Sequence, residues 1–125
     1  MRCDLSKTEM EIMQVLWDCD GFMIPSDILK LFNSRGKNWK RQTLNTLLKR
    51  MEEKEVVARR RGSVQTLCSE LEYRHQQSRE VVNEYFDGRL DLFVAAYAGK
   101  RSISRELSGE LEELIDRLMR DEGDA

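Results

Sequence analysis

The stretch Trp39–Lys54, WKRQTLNTLLKRMEEK, decides the fold. Leu44, Leu47, Leu48 and Met51 recur at i, i+3, i+4 and i+7, the spacing of a helix face buried against a core. At about 100° per residue the opposite side carries Gln42, Thr46 and Lys49, with Asn45 on one flank and Thr43 and Arg50 on the other. These side chains suit hydrogen bonds to base edges or phosphates. Polar residues opposite an apolar stripe equally suit plain solvent, so the neighbourhood has to separate the two readings.

Upstream, Ser6-Lys7-Thr8-Glu9 is a capping box. It opens a helix with a wide inner face of Met10, Ile12, Met13, Val15, Leu16 and Trp17, ending near Asp18–Gly21. Phe22–Ile24 predicts one short edge strand. Pro25 or Ser26 then starts a second helix, with Ile28, Leu29, Leu31 and Phe32 facing inward and Asn33–Gly36 stopping it. Downstream, Val56-Val57-Ala58, then Arg59-Arg60-Arg61-Gly62-Ser63, then Val64–Cys68 predict strand, tight turn and strand, with arginines at the tip. Three helices followed by a hairpin is the order of a winged helix-turn-helix, a mainly α fold with a small β-hairpin wing. In that fold the third helix enters the major groove and the wing lies along the backbone or minor groove. The arginines also fit a simpler role, a charged edge that deters strand-to-strand aggregation.

Charge favours the nucleic-acid reading. The net charge of −2 argues against a protein that coats nucleic acid indiscriminately, but Lys37–Arg61 holds nine Lys or Arg against three Glu. That middle carries +6, and the remainder therefore carries −8. Three widely spaced cysteines, Cys3, Cys19 and Cys68, predict neither a disulfide framework nor a zinc site, and read as reduced cytosolic thiols. No cofactor or metal is expected. With His75 the sole histidine and no phosphate loop or Ser-His-Asp set, an enzyme has little support. The N-terminus has no apolar signal region and no stretch approaches a membrane span, which predicts a cytoplasmic protein without membrane insertion.

From Glu70 onward only helix signals remain. Leu71, Ser78, Val81, Val82, Tyr85 and Phe86 mark one helix, broken near Asp87-Gly88. Leu90, Phe93, Val94 and Tyr97 mark a second, ended by Gly99. Ser104 caps a third, in which Leu107, Leu111, Leu114, Ile115, Leu118 and Met119 repeat at helical spacing. Three short helices do not easily bury those stripes alone. The chain therefore divides into a DNA-binding domain over 1–70 and a dimerisation domain over 71–125. A homodimer is expected through Val82, Tyr85, Phe86, Leu90, Phe93, Val94, Leu107, Leu111, Leu114, Ile115 and Leu118. The competing expectation is that this segment packs back on its own first domain. Arg105–Ala125, with eight carboxylates against three arginines, should stay off DNA.

LSKTEMEIMQVLW at 5–17 and WKRQTLNTLLKRM at 39–51, with FDGRLDLFVAAYA at 86–98, resemble the penicillinase-repressor family over nearly the whole chain. The resemblance implies a dimeric repressor that binds inverted repeats at promoters through an N-terminal winged helix and a three-helix dimerisation unit. Carried over by position, Gln42, Thr43, Asn45 and Thr46 would contact bases, and Lys40, Arg41, Lys49, Arg50, Arg59, Arg60 and Arg61 would contact phosphates. Gln and Asn suit adenine, so base preferences should differ from relatives with arginine at the position of Asn45. The β-lactamase-linked members are switched off by cleavage in the second C-terminal helix between Asn and Phe, a step that a sensor-linked membrane protease sets off. Here the matching pair is Ala96-Tyr97, which departs from that pattern. The tail RDEGDA lacks the cysteines of the copper-responsive members. Gln65, Thr66 and Leu67 stand where relatives often alternate tyrosines. Glu55 replaces the glycine that often ends the third helix, so either the turn differs or Glu55 is strained. The reading from another class is a winged-helix protein-interaction module without DNA function.

Overall fold

The computed structural model describes residues 1–99 and 103–123. Six helices and three short strands follow in the order α1 (Lys7–Asp18), β1 (Phe22–Met23), α2 (Pro25–Ser34), α3 (Arg41–Glu53), β2 (Val57–Arg60), β3 (Ser63–Thr66), α4 (Glu70–Tyr85), α5 (Leu90–Ala98) and α6 (Arg105–Gly123). The chain is mainly α with a small antiparallel sheet of order β1-β3-β2, as expected of a winged helix followed by a helical region. It forms two compact units, Met1–Glu80 and Val81–Ala125. The division thus falls later than the boundary expected after residue 70. The cause is Tyr73 on α4, which is fully buried in the first unit with its ring 5.7 Å from that of Trp17. Trp17 Nε1 donates to the Cys68 carbonyl at 3.0 Å, and Gln76 Nε2 donates to the Met1 carbonyl at 3.0 Å. A second capping box, Ser69 with Glu72, sets the start of α4. Positions two apart on a helix lie roughly 200° apart, so burying Tyr73 turns Leu71 outward. Leu71 is 80% exposed, against the expectation that it marks an inner face.

The core of the first unit is the one that the apolar spacing predicts. Ile12, Met13, Val15 and Leu16 of α1 are buried with Ile28 and Phe32 of α2, Leu44, Leu48 and Met51 of α3, and Val56, Val57 and Val64 around the sheet. Met10, Trp17, Leu29, Leu31 and Leu47 are only half-buried at its margin. The hairpin departs from expectation. The strands pair through Arg60↔Ser63, leaving Arg61 and Gly62 as a two-residue turn with φ of 53° and 78°. Positive φ at both central residues is what the tight hairpin turn matching strand twist demands. Arg59 and Arg60 therefore belong to strand β2, and Arg61 alone of the three sits in the turn.

One ion pair ties the first helix to the third. Ser6 Oγ accepts from Glu9 N at 3.2 Å, and Glu9 Oε1 accepts from Ser6 N at 3.1 Å. The same Oε1 also takes Lys54 Nζ at 3.0 Å, and Lys54 reaches the Asp4 carbonyl at 3.2 Å. The Glu9 side chain is almost fully buried and that of Lys54 largely so. Burial pushes the Glu9 carboxyl up, but hydrogen bonds from Lys54 and Ser6 outweigh it and hold the group below its ordinary value. At the C-terminus of α3, Val56 N donates to the Met51 carbonyl at 3.2 Å and Glu55 N to the Glu52 carbonyl at 2.9 Å. This is a Schellman ending with Glu55 at φ 60°, so the turn is that of a glycine and Glu55 bears the strain.

Two stability outcomes follow. Glu9→Gln should cost on the order of 3 kcal/mol in urea unfolding, because it leaves the largely buried Lys54 ammonium without its partner. The folded carboxyl titrates below its unfolded counterpart, so its contribution is present above pH 4.5 and is lost as pH falls through the lowered value. The wild type should weaken with acid across that window more steeply than Glu9→Gln. Glu55→Gly should raise stability by roughly 0.5–1 kcal/mol, the left-handed strain relieved less the added freedom of the unfolded chain.

Candidate nucleic-acid interface

The rotation of α3 follows from its buried stripe. With Leu44, Leu48 and Met51 inward, Arg41, Gln42, Thr43, Asn45, Thr46, Lys49 and Arg50 are all exposed, as is Lys40 at the N-cap. Every residue expected on the polar face is therefore accessible. The approach to α3 is set by Asn33, which in sequence marks only the stop of α2. Asn33 Oδ1 accepts from Trp39 N at 2.8 Å while Asn33 Nδ2 donates to the Trp39 carbonyl at 3.0 Å. The Trp39 ring stacks on Phe32 at 4.8 Å, and Lys37 reaches Glu11 of α1 at 3.4 Å. Asn33 thus closes the turn between the second and third helices with one side-chain amide. The available signal is an Asn at the end of the helix, three residues before Gly36 and six before Trp39.

The polar residues do not all present the same chemistry. Thr46 Oγ1 donates to the Gln42 carbonyl at 3.0 Å, which spends its hydrogen and leaves a methyl group and acceptor lone pairs. Gln42 and Thr43 make no side-chain hydrogen bond among the described residues. No side chain caps the N-terminus of α3, so its first-turn N–H groups keep free donors. Arg59, expected to contact phosphate, is engaged within the protein: its Nε lies 3.0 Å from Glu52 Oε1 and its Nη2 donates to the Asn45 carbonyl at 3.2 Å.

Pairing changes the local charge balance. Of the nine basic residues between Lys37 and Arg61, three are paired: Lys37 with Glu11, Lys54 with Glu9 and Arg59 with Glu52. Lys40, Arg41, Lys49, Arg50, Arg60 and Arg61 form no ion pair among the described residues. Of the three glutamates, Glu52 and Glu55 are paired, the latter with the terminal ammonium at 3.4 Å. The helix face and wing are thus left with six unpaired cations against Glu53 alone, so nearly all of the raw excess of positive charge stays free to face an anion.

The second unit is organised differently. Phe86 and Phe93 meet edge to face at 5.4 Å, and Phe93 and Tyr97 stack at 6.5 Å. Val82, Phe86, Phe93, Val94, Leu107 and Leu111 are half-buried, whereas Tyr85, Leu90, Leu114, Ile115 and Leu118 are exposed. No residue of α5 is buried. Ser104 Oγ accepts from Leu107 N at 3.2 Å, the cap expected for α6. Ala96 and Tyr97 both lie exposed within α5. Among the described residues no group of three His, Cys, Asp or Glu could hold a metal, and no helix is long and apolar enough to cross a membrane. Cys68 is buried, and burial pushes its thiol up, the state of an unreactive thiol.

Comparison with known proteins agrees with this architecture. The penicillinase repressor family model matches residues 5–117. The methicillin resistance regulatory proteins MecI of Staphylococcus aureus strain N315 and of Staphylococcus epidermidis are each 20% identical to this chain over 118 residues, covering 91% of it and 94% of theirs.

Asn33→Ala removes both bonds to the Trp39 backbone. It should lower stability by about 1–2 kcal/mol in denaturant unfolding, and hydrogen exchange should quicken at Trp39 ahead of the rest of α3.

Proposed function

The chain belongs to the penicillinase repressor family, and from that premise we propose that it is a dimeric repressor that occupies an inverted-repeat DNA operator and thereby blocks transcription. The observation that carries this reading is the exposed face of α3, where four neutral hydrogen-bonding side chains are ringed by unpaired cations. Gln42, Thr43, Asn45 and Thr46 read base edges in the major groove. Lys40, Arg41, Lys49 and Arg50 hold phosphates beside them, helped by the free N–H groups of the first turn. Arg60 and Arg61 bring the wing onto the neighbouring backbone.

The second copy is argued from apolar surface. Ile115, Leu118 and Met119 on α6 and Leu90 on α5 are each more than half exposed, too large an apolar surface for a helical unit this small to leave in water. A two-fold partner covers that face, and two-fold symmetry in the protein is what an inverted repeat requires. Relief of repression is assigned to a sensor-linked protease acting at Ala96-Tyr97. The pair is exposed on a helix without buried residues, so unwinding it for cleavage costs little packing.

Lys49→Ala and Arg60→Ala should weaken binding similarly on every duplex and reduce the slope of log affinity against log salt by about one each. A loss confined to particular sequences would move these two side chains from phosphates to bases. Ile115→Asp with Leu118→Asp should convert a dimer to a monomer in sedimentation and lower affinity for a two-half-site duplex by at least about tenfold. Unchanged sedimentation would remove α6 from the dimer contact.

A further inference from the structure

We infer that Arg59 is a positioning residue for specificity: it draws the Asn45 amide oxygen toward a cation and leaves the amide N–H groups as the favoured reader, so that the facing base pair is chosen for its acceptor groups rather than as an adenine. This rests on the DNA-binding reading above and concerns the choice of base within it. Arg59 leaves β2 with three of its donors directed at α3. Its Nε is 3.0 Å from Glu52 Oε1, its Nη2 is 3.2 Å from the Asn45 carbonyl, and its Nη1 is 3.5 Å from Asn45 Oδ1. Asn45 and Glu52 are close to two helical turns apart, on one side of α3, so a single guanidinium spans both.

The consequence follows from donor and acceptor inventory. A guanidinium has donors only, so an amide facing it must turn its oxygen toward it. Adenine is read by asparagine through both amide atoms, the oxygen accepting from N6 and the nitrogen donating to N7. With one lone pair of Oδ1 facing Arg59 at 3.5 Å, a base donor that approaches the other meets a neighbouring cation, whereas the two N–H donors of Asn45 stay free and match the N7 and O6 acceptors of guanine or the O4 acceptor of thymine. The adenine preference expected of a free asparagine is thereby suppressed by a residue that need not touch DNA. Thr46, whose hydroxyl hydrogen goes to the Gln42 carbonyl, offers no competing donor on the next position.

The test uses the duplex that the full chain selects from a random pool, together with its single-base variants, in fluorescence anisotropy over a salt series. Asn45→Ala first locates the base pair whose preference depends on Asn45. In the wild type that pair should favour guanine or thymine. Arg59→Met should shift it toward adenine, changing the guanine-to-adenine ratio by about tenfold, with other positions and the salt slope unaltered. Arg59→Lys keeps the charge but cannot hold Glu52 and Asn45 together, so it should behave as Arg59→Met does. In the Asn45→Ala background, Arg59→Met should change no base preference. A uniform loss with the salt slope reduced by about one, rescued by Arg59→Lys, would make Arg59 a phosphate contact and overturn the inference. So would an unaltered guanine-to-adenine ratio. Failure of the wild type to bind any duplex in a salt-dependent way would instead end the DNA-binding reading itself, and it would be seen before any variant is made.

Discussion

Burial of Leu44, Leu48 and Met51 fixes the rotation of α3 about its axis, and the rest of the molecule's surface chemistry depends on that one phase. Each fully buried aliphatic side chain is worth roughly 1.5–3 kcal/mol, so rotating the helix by even one position would forfeit more than surface contacts could return. The Glu9–Lys54 pair adds a second constraint by joining the end of α3 to the start of α1. Asn33 adds a third by holding the entry to α3 through the Trp39 backbone. Together they leave the polar face of α3 little freedom to be anywhere but outward.

The fold was legible because its signals are local and redundant. The capping box at Ser6, the i, i+3, i+4, i+7 stripe of α3 and the valine pair before a glycine-containing turn each specify an element without help from distant residues. What was not legible depended on contacts between elements. Tyr73 and Leu71 are both apolar and two residues apart, and only the cap at Ser69 and the space beside Trp17 decide which is buried. The three arginines of the wing look equivalent in sequence. Strand register separates them, giving Arg59 to α3 and leaving Arg61 to the turn. Glu52 counted only against the basic patch in sequence, whereas in the fold it anchors Arg59.

Pairing also refines the charge argument. The residues that look like phosphate contacts in a linear count divide into those consumed by the fold and those left over. The ones consumed, Lys37, Lys54 and Arg59, each pair with a glutamate, Glu11, Glu9 and Glu52. The remainder lie on the exposed face of α3 and on the wing, Lys40, Arg41, Lys49 and Arg50 flanking Gln42, Thr43, Asn45 and Thr46. An acidic chain can therefore present a basic face of limited extent, which favours docking in one orientation over indiscriminate adhesion.

The central claim, that the face of α3 reads duplex DNA in a two-fold arrangement, is tested most directly by selecting bound duplexes from a random pool with the full-length chain. The account predicts enrichment of an inverted repeat whose half-site centres lie about one helical turn, or a whole number of turns, apart, with binding that falls steeply as salt rises. Recovery of no common sequence, or of a single half-site with no symmetric mate, would contradict it.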